Sequence, residues 1–274
     1  MALTLWEALV LGVVQGVTEW LPVSSSGHLV LTQRLLGVEV PVFYDLVLHI
    51  GTLLAVLVAY RERLYAMAAA LVAWPRDARG TGWGPSLWLH PDRRLAALLV
   101  LGTIPIAVAG LLLEDLVLAS FDSLAGVGAA LLVTGLWLLS TRWATRRDGM
   151  TALTPARAVL VGVAQAAALM PGISRSGATI GASIHAGVRR DAAADFAFLL
   201  AVPALLGALI LQADSVGEVA GVGYGAALLG FLVSFVAGYA SLRWLVGFVR
   251  RAGLWPFAPY CMLVGAMTLG YALT

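Results

Sequence analysis

The chain has 274 residues, 61% of them hydrophobic and 12% charged, with a formal charge of +2 and arginine as its only basic residue besides histidine. Soluble domains carry about 25% charged residues, so this composition excludes a soluble globule and predicts an all-α polytopic membrane protein forming a single domain over residues 1–274. The one cysteine, Cys261, excludes an intrachain disulfide and a cysteine-based metal cluster.

The first hydrophobic stretch, Leu5 to Leu36, is broken by the polar run GVTEWLPVSSSGHLVL, Gly16 to Leu31. It lacks the basic start of a signal peptide, so targeting is expected through the spans themselves. Apolar runs of spanning length follow at Val42 to Tyr60, Leu95 to Leu113 and Leu124 to Thr141. A second interrupted stretch covers Ala152 to Val188, and three more runs cover Ala192 to Gln212, Gly225 to Leu245 and Phe257 to Tyr271. Arginine-rich loops face the cytoplasm. Arg61, Arg63, Arg76, Arg79, Arg93 and Arg94 mark one such segment, Arg142, Arg146, Arg147 and Arg157 a second, Arg189 and Arg190 a third, and Arg243, Arg250 and Arg251 a fourth. Acidic loops with Glu114, Asp115 and Asp122, and with Asp214 and Glu218, belong outside. Both flanks of the second interrupted stretch then lie inside, so it enters and returns on one side. By the same reasoning the first enters from outside, and both termini are outside. The expected architecture is six transmembrane helices plus two re-entrant helical hairpins.

The two interrupted stretches share a pattern. Gly12, Gln15, Ser24, Ser26 and Gly27 recur as Gly162, Gln165, Ser174, Ser176 and Gly177, at a constant offset of 150 residues. Each half, about 1–141 and about 152–274, is one hairpin followed by three spans. An odd number of spans inverts the second half, giving an inverted-topology repeat with its site near the midplane.

Irregular backbone at membrane depth must be buried in protein or line a wet cavity. The tips at Ser24 to His28 and Ser174 to Gly177 are therefore expected to meet across a polar pocket. Helix N-termini begin after each tip and favour an anion. Ser24, Ser26, Gly27, Ser174, Ser176, Gly177 and Thr179 add donors, and Arg175 adds a fork that matches phosphate. Arg175 is alternatively a counter-ion for Glu19, and the two roles are compatible. His28 suits nucleophilic or acid–base work; the bland alternative is a core ring bonded to a backbone carbonyl. Gln15 and Glu19 share one helix face, which suits either a divalent cation or the orientation of His28 by Glu19. Asp45 and His49, also one turn apart, line the pocket or the interface. His185 and Glu7 read as structural, and Trp74, Trp83, Trp88 and Trp255 as interfacial anchors.

The run QGVTEWLPVSSSGH, Gln15 to His28, and the run PGISRSGAT, Pro171 to Thr179, closely resemble the two signatures of the undecaprenyl-diphosphate phosphatase family, the bacitracin-resistance phosphatases. The segment FYDLVLHIGTLLAV, Phe43 to Val56, resembles the family's next span. The resemblance covers essentially the whole chain. It implies hydrolysis of undecaprenyl diphosphate to undecaprenyl phosphate and inorganic phosphate, which recycles the cell-wall carrier lipid. It further implies a divalent cation, Mg2+ or Ca2+, and a bacterial inner-membrane location with the site opening to the outer face. It assigns Glu19, His28 and Arg175 to the centre, with Ser25 and Ser174 beside them. Gln15 stands where other members carry a glutamate, which leaves one carboxylate there. Expected partners are the polyprenyl diphosphate substrate, membrane lipids and a second copy as a homodimer, with no nucleic acid. The alternative function is a polyprenyl-phosphate translocase or another inverted-repeat transporter.

Overall fold

The computed structural model describes residues 3–144, 153–211 and 222–274; Arg146, Arg147, Asp214 and Glu218 lie outside them. The described residues are helical throughout apart from short connections. The first stretch forms α1 (Leu5–Trp20) and α2 (Ser25–Leu36). Thr4 caps α1 and Glu7 completes a capping box, which gives that carboxylate its structural role. Leu21 is extended ahead of Pro22, and the helix stops there. Gly37, in the left-handed conformation, ends α2 by donating to the carbonyl of Arg34 at 3.2 Å. The chain continues as α3 (Val42–Ala59), α4 (Arg61–Thr81), α5 (Trp83–Trp88), α6 (Pro91–Leu112), α7 (Glu114–Ser120) and α8 (Leu124–Ala144). The second stretch forms α9 (Pro155–Ala167) and α10 (Arg175–His185). It is followed by α11 (Arg190–Leu211), α12 (Tyr224–Ala252) and α13 (Ala258–Ala272).

Each expected span coincides with a helix, but the helices differ in reach. Among the described residues, α6, α8, α11 and α12 are each long and apolar enough to cross a membrane. The α3 helix passes that test only together with α4, from which it is bent by 74°. At 15 residues α13 is shorter than a full span, about 22 Å against a hydrocarbon core of roughly 30 Å. The chain is an all-helical integral membrane protein with four or five full-length spans by this measure, and α13 completes the bundle as a shorter helix.

The segment between Arg61 and Arg94, expected as a loop, is instead largely helix. The α4–α5 unit folds back on α6 and is held by Arg93. That residue is 2% exposed. Its guanidinium donates to the carbonyl of Ala70 at 2.8 Å and that of Ser86 at 3.1 Å, and it pairs with Asp77. Trp74 donates to Ser86 Oγ at 2.8 Å and meets Trp83 edge to face, so both indoles serve this unit.

The two halves exchange packing partners. Helix α1 lies along α12, and α9 lies along α6. The repeated glycines make these crossings close. A Cβ at Gly12 would meet the Gly230 carbonyl at 3.0 Å, and one at Gly162 would collide with the Gly102 carbonyl. Helices α8 and α13 pack on each other and join the halves. The main core centres on α11, where Phe196 to Leu200 are all buried, with Trp20, Leu138 and Leu242 packed around it. Val100, Ile104 and Val108 on α6, and Leu228, Leu232 and Val236 on α12, are exposed apolar rows suited to lipid.

Candidate active site

The two tips meet. Both helices beyond them start with a serine cap: Ser24 Oγ accepts from the Gly27 amide at 3.3 Å, and Ser174 Oγ from the Gly177 amide at 3.1 Å. Ser24 Oγ also accepts from the Gly172 amide of the opposite tip at 3.1 Å. Gly27 packs directly on Gly172. Ser24 reaches this position at φ 69°, and it is the one non-glycine residue at positive φ among the described residues. Such strain survives where surrounding contacts over-determine it. In the second tip the positive φ falls on Gly172, at 97°.

Glu19, near the end of α1, has its side chain fully buried. A carboxylate in such a place needs partners, and it has three. Arg175, from the first turn of α10, forms an ion pair with Oε1. Ser25, from the first turn of α2, donates to Oε2 at 2.5 Å. Gln15, one turn earlier on α1, donates to Oε2 through Nε2 at 2.9 Å. Ser25 and Arg175 occupy corresponding positions of the two tips, so one carboxylate binds the matching residue of each half. The reading of Arg175 as the counter-ion of Glu19 is met, and its side chain stays partly open.

His28 is set apart from this cluster. Its Nδ1 donates to the Ser24 carbonyl at 2.8 Å, and Nε2 faces the Tyr260 hydroxyl at 2.8 Å. The expectation that Glu19 orients His28 is not met: Ser24 and Tyr260 do so, because Glu19 is already engaged by Arg175, Ser25 and Gln15. His49 approaches Glu19, with Nε2 3.8 Å from Oε2, while its Nδ1 donates to the Asp45 carbonyl at 2.7 Å. The Asp45 side chain accepts from Gln33 at 3.2 Å.

The remaining candidates divide by exposure. Ser25, Ser26, His28 and Arg175 are partly open, whereas Ser24, Ser174, Ser176, Gly27 and Gly177 are buried. Ser24 shares a hydrogen bond with Ser26, and Ser174 with Ser176, each at 3.3 Å. The buried Thr179 hydroxyl donates to the Arg175 carbonyl at 2.8 Å, so it braces the arginine's backbone within α10. His185 bonds Ser140 at 2.9 Å and leans on Trp137, a structural role as expected.

Among the described residues no group of three or more His, Cys, Asp or Glu side chains is arranged to hold a metal by itself. Gln15 Oε1, however, is buried beside Glu19 without a hydrogen-bond partner. One carboxylate and one unpaired amide oxygen suit a hard cation that takes its other ligands from water and phosphate.

Tyr260 is the site residue that the sequence did not reveal. It comes from α13, 232 positions away from His28. An aromatic residue near the end of an apolar helix reads as an interfacial anchor.

The chain matches the model of a family described as bacitracin resistance protein BacA over residues 8–267. An undecaprenyl-diphosphatase of Desulfatibacillum aliphaticivorans is 42% identical over 268 residues, 96% of this chain and 97% of the relative. One of Desulfosudis oleivorans is 43% identical over 282 residues, with coverage of 96% and 97%. One of Rubrobacter xylanophilus is 42% identical over 280 residues, 99% of each chain. With the matched region spanning both hairpins and every helix between them, this chain belongs to the bacitracin resistance protein BacA family.

Proposed function

We propose that the chain is a membrane phosphatase that hydrolyses undecaprenyl diphosphate to undecaprenyl phosphate and inorganic phosphate, recycling the carrier lipid and conferring bacitracin resistance. The observation that carries this reading is the buried Glu19, joined to Arg175 from one hairpin and to Ser25 from the other. Their matching positions put a guanidinium and a hydroxyl side by side at two helix N-termini, an arrangement that favours the oxygens of a diphosphate. The names of the relatives point to the same substrate.

In this mechanism the incoming diphosphate draws the Arg175 fork from Glu19 onto its oxygens. Ser25, Ser26 and the amides of the first turns complete the cradle. His28 presents the lone pair of Nε2, since Nδ1 bears the proton given to the Ser24 carbonyl. It acts at the terminal phosphorus, either by taking the proton of an attacking water, which gives inorganic phosphate directly, or by attacking the phosphorus itself or taking the proton of an attacking Ser25 hydroxyl, in which case a water then cleaves the phospho-enzyme to inorganic phosphate and restores the side chain. Undecaprenyl phosphate leaves from the opposite side. Phosphoryl transfer depends chiefly on positioning and charge neutralisation, which this cradle supplies. A divalent cation, Mg2+ or Ca2+, would be held by Glu19 and Gln15 Oε1, and it supplies further neutralisation of charge on the phosphate oxygens. The arginine distribution supports a site that opens to the outer face of a bacterial inner membrane. The test is release of inorganic phosphate by detergent-solubilised, monodisperse protein given undecaprenyl or farnesyl diphosphate. Folded protein that releases none with any divalent cation would overturn the reading.

A further inference from the structure

The proposed mechanism uses His28 without using the group that covers it. Tyr260 sits on α13, in the second half of the chain, and is about half exposed. Its hydroxyl is 2.8 Å from His28 Nε2. The two rings lie nearly parallel, 10° apart with centroids 5.7 Å from each other. The Ser24 carbonyl can only accept, so Nδ1 carries the imidazole proton in the neutral ring and Nε2 carries the lone pair. The hydrogen bond to Nε2 therefore runs one way: the phenol donates and the imidazole accepts. We infer that Tyr260 is a positioning residue for the phosphatase reaction, its hydroxyl holding the His28 lone pair toward the pocket until the terminal phosphoryl group of the substrate displaces it.

Two features make this more than a packing contact. The His28 ring is fixed at both nitrogens by groups from opposite halves of the chain, so its plane and tautomer are set before substrate arrives. A phenol displaced from Nε2 also keeps its proton, and it can donate to a non-bridging phosphate oxygen at the nitrogen where the reaction takes place. The donor thus passes from the nitrogen to the substrate with no bond made or broken except hydrogen bonds.

The inference rests on the assignment of His28 to the reaction, and the test separates the two. Tyr260→Phe keeps the ring and removes the hydroxyl. Diethyl pyrocarbonate attacks an unprotonated imidazole nitrogen, so the carbethoxylation rate of His28, followed by peptide mass spectrometry in detergent, reads the cover over Nε2 directly. In Tyr260→Phe this rate should rise severalfold while that of His185 stays constant. kcat/KM for farnesyl diphosphate should fall roughly tenfold, the equivalent of one neutral hydrogen bond. An unchanged carbethoxylation rate overturns the inference. So does a faster rate with unaltered turnover, since the hydroxyl would then cover the nitrogen without serving the reaction. His28→Ala is measured beside it. If that variant is inactive while Tyr260→Phe is silent, only the role of Tyr260 falls. If His28→Ala keeps full activity, the assignment of His28 falls, and the role of Tyr260 in this reaction with it.

Discussion

The two hairpins are built alike and equipped differently. Gln15, Ser24, Ser26 and Gly27 of the first correspond to Gln165, Ser174, Ser176 and Gly177 of the second, and these shared residues shape the tips. Ser24 and Ser174 both cap the following helix. Between the shared positions the chemistry diverges. Glu19 faces Leu169 as its counterpart, Ser25 faces Arg175, and His28 faces Ala178. The first hairpin contributes the acid and the imidazole, and the second contributes the permanent cation. A repeated frame thus carries a one-sided set of charged groups: the shared serines and glycines shape the two tips, and the charged and imidazole side chains fall at positions that differ. Gln15 and Gln165 make the point in one residue type. Gln15 is bonded to Glu19, whereas both polar atoms of the fully buried Gln165 lack a hydrogen-bond partner among the described residues, and the sequence has Leu169 in the position of the carboxylate.

The comparison presumes that the hairpins enter from opposite faces, and the sharpest test of it is all-or-none. Cys261 is fully buried and reduced, so it gives little background. A cysteine at Asp122 should react with a membrane-impermeant thiol reagent in intact cells, and one at Arg79 should not. The reverse pattern would remove the basis for an outward-opening site.

Next in size is the arginine. Arg175→Lys keeps the charge and loses the fork, and should cost about 100- to 1000-fold in kcat/KM. Arg175→Ala should cost more, because Glu19 is then left as a buried carboxylate without its cation. Steady-state kinetics on folded, monodisperse protein measures both. Turnover of Arg175→Lys within about threefold of the parent would show that the fork does not hold phosphate.

The serines come third and are read as stability. Ser174→Ala removes one cap and should cost about 1 kcal/mol. Ser24→Ala also strands the Gly172 amide, so it should cost about 1–3 kcal/mol more. Equal losses in thermal or denaturant unfolding would mean that the bond between the tips contributes nothing.

The smallest effect is the most pointed. Gln165→Leu removes an unpartnered amide and should stabilise the fold by about 1 kcal/mol with activity retained. Gln15→Leu should lower activity and alter the divalent-cation dependence, though less than Glu19→Ala does. A lower melting temperature for Gln165→Leu would show that the Gln165 amide stabilises the fold rather than burdening it.

Much of this was readable in the chain itself. Hydrophobic runs located each spanning helix, because apolar length is what a bilayer selects. The constant offset between Gly12 and Gly162, or Ser24 and Ser174, exposed the duplicated tips. The one-turn spacing of Gln15 and Glu19 put them on one face, where they are bonded. What escaped depended on contacts between distant segments. Tyr260 meets His28 only because α13 returns beside α2, and no local pattern distinguishes it from an anchor. Arg93 was legible as a charge that orients a loop, but its burial under α4 and α5 follows from three acceptors that come together in space. The spacing of Asp45 and His49 left pocket and interface open for the pair, and the approach of His49 to Glu19 depends on how α3 packs against α1.

The bond from the Gly172 amide to Ser24 Oγ, with the ion pair between Arg175 and Glu19, ties the hairpins to each other. Together they act as a clasp that closes the floor of the pocket. A carrier that rocked its halves past one another would have to undo both ties in every cycle. A hydrolase needs only to loosen the ion pair, and the arriving phosphate does that by taking the arginine. In the proposed mechanism the Gly172 bond holds the two tips together while the headgroup takes the arginine, so one tie persists through the reaction.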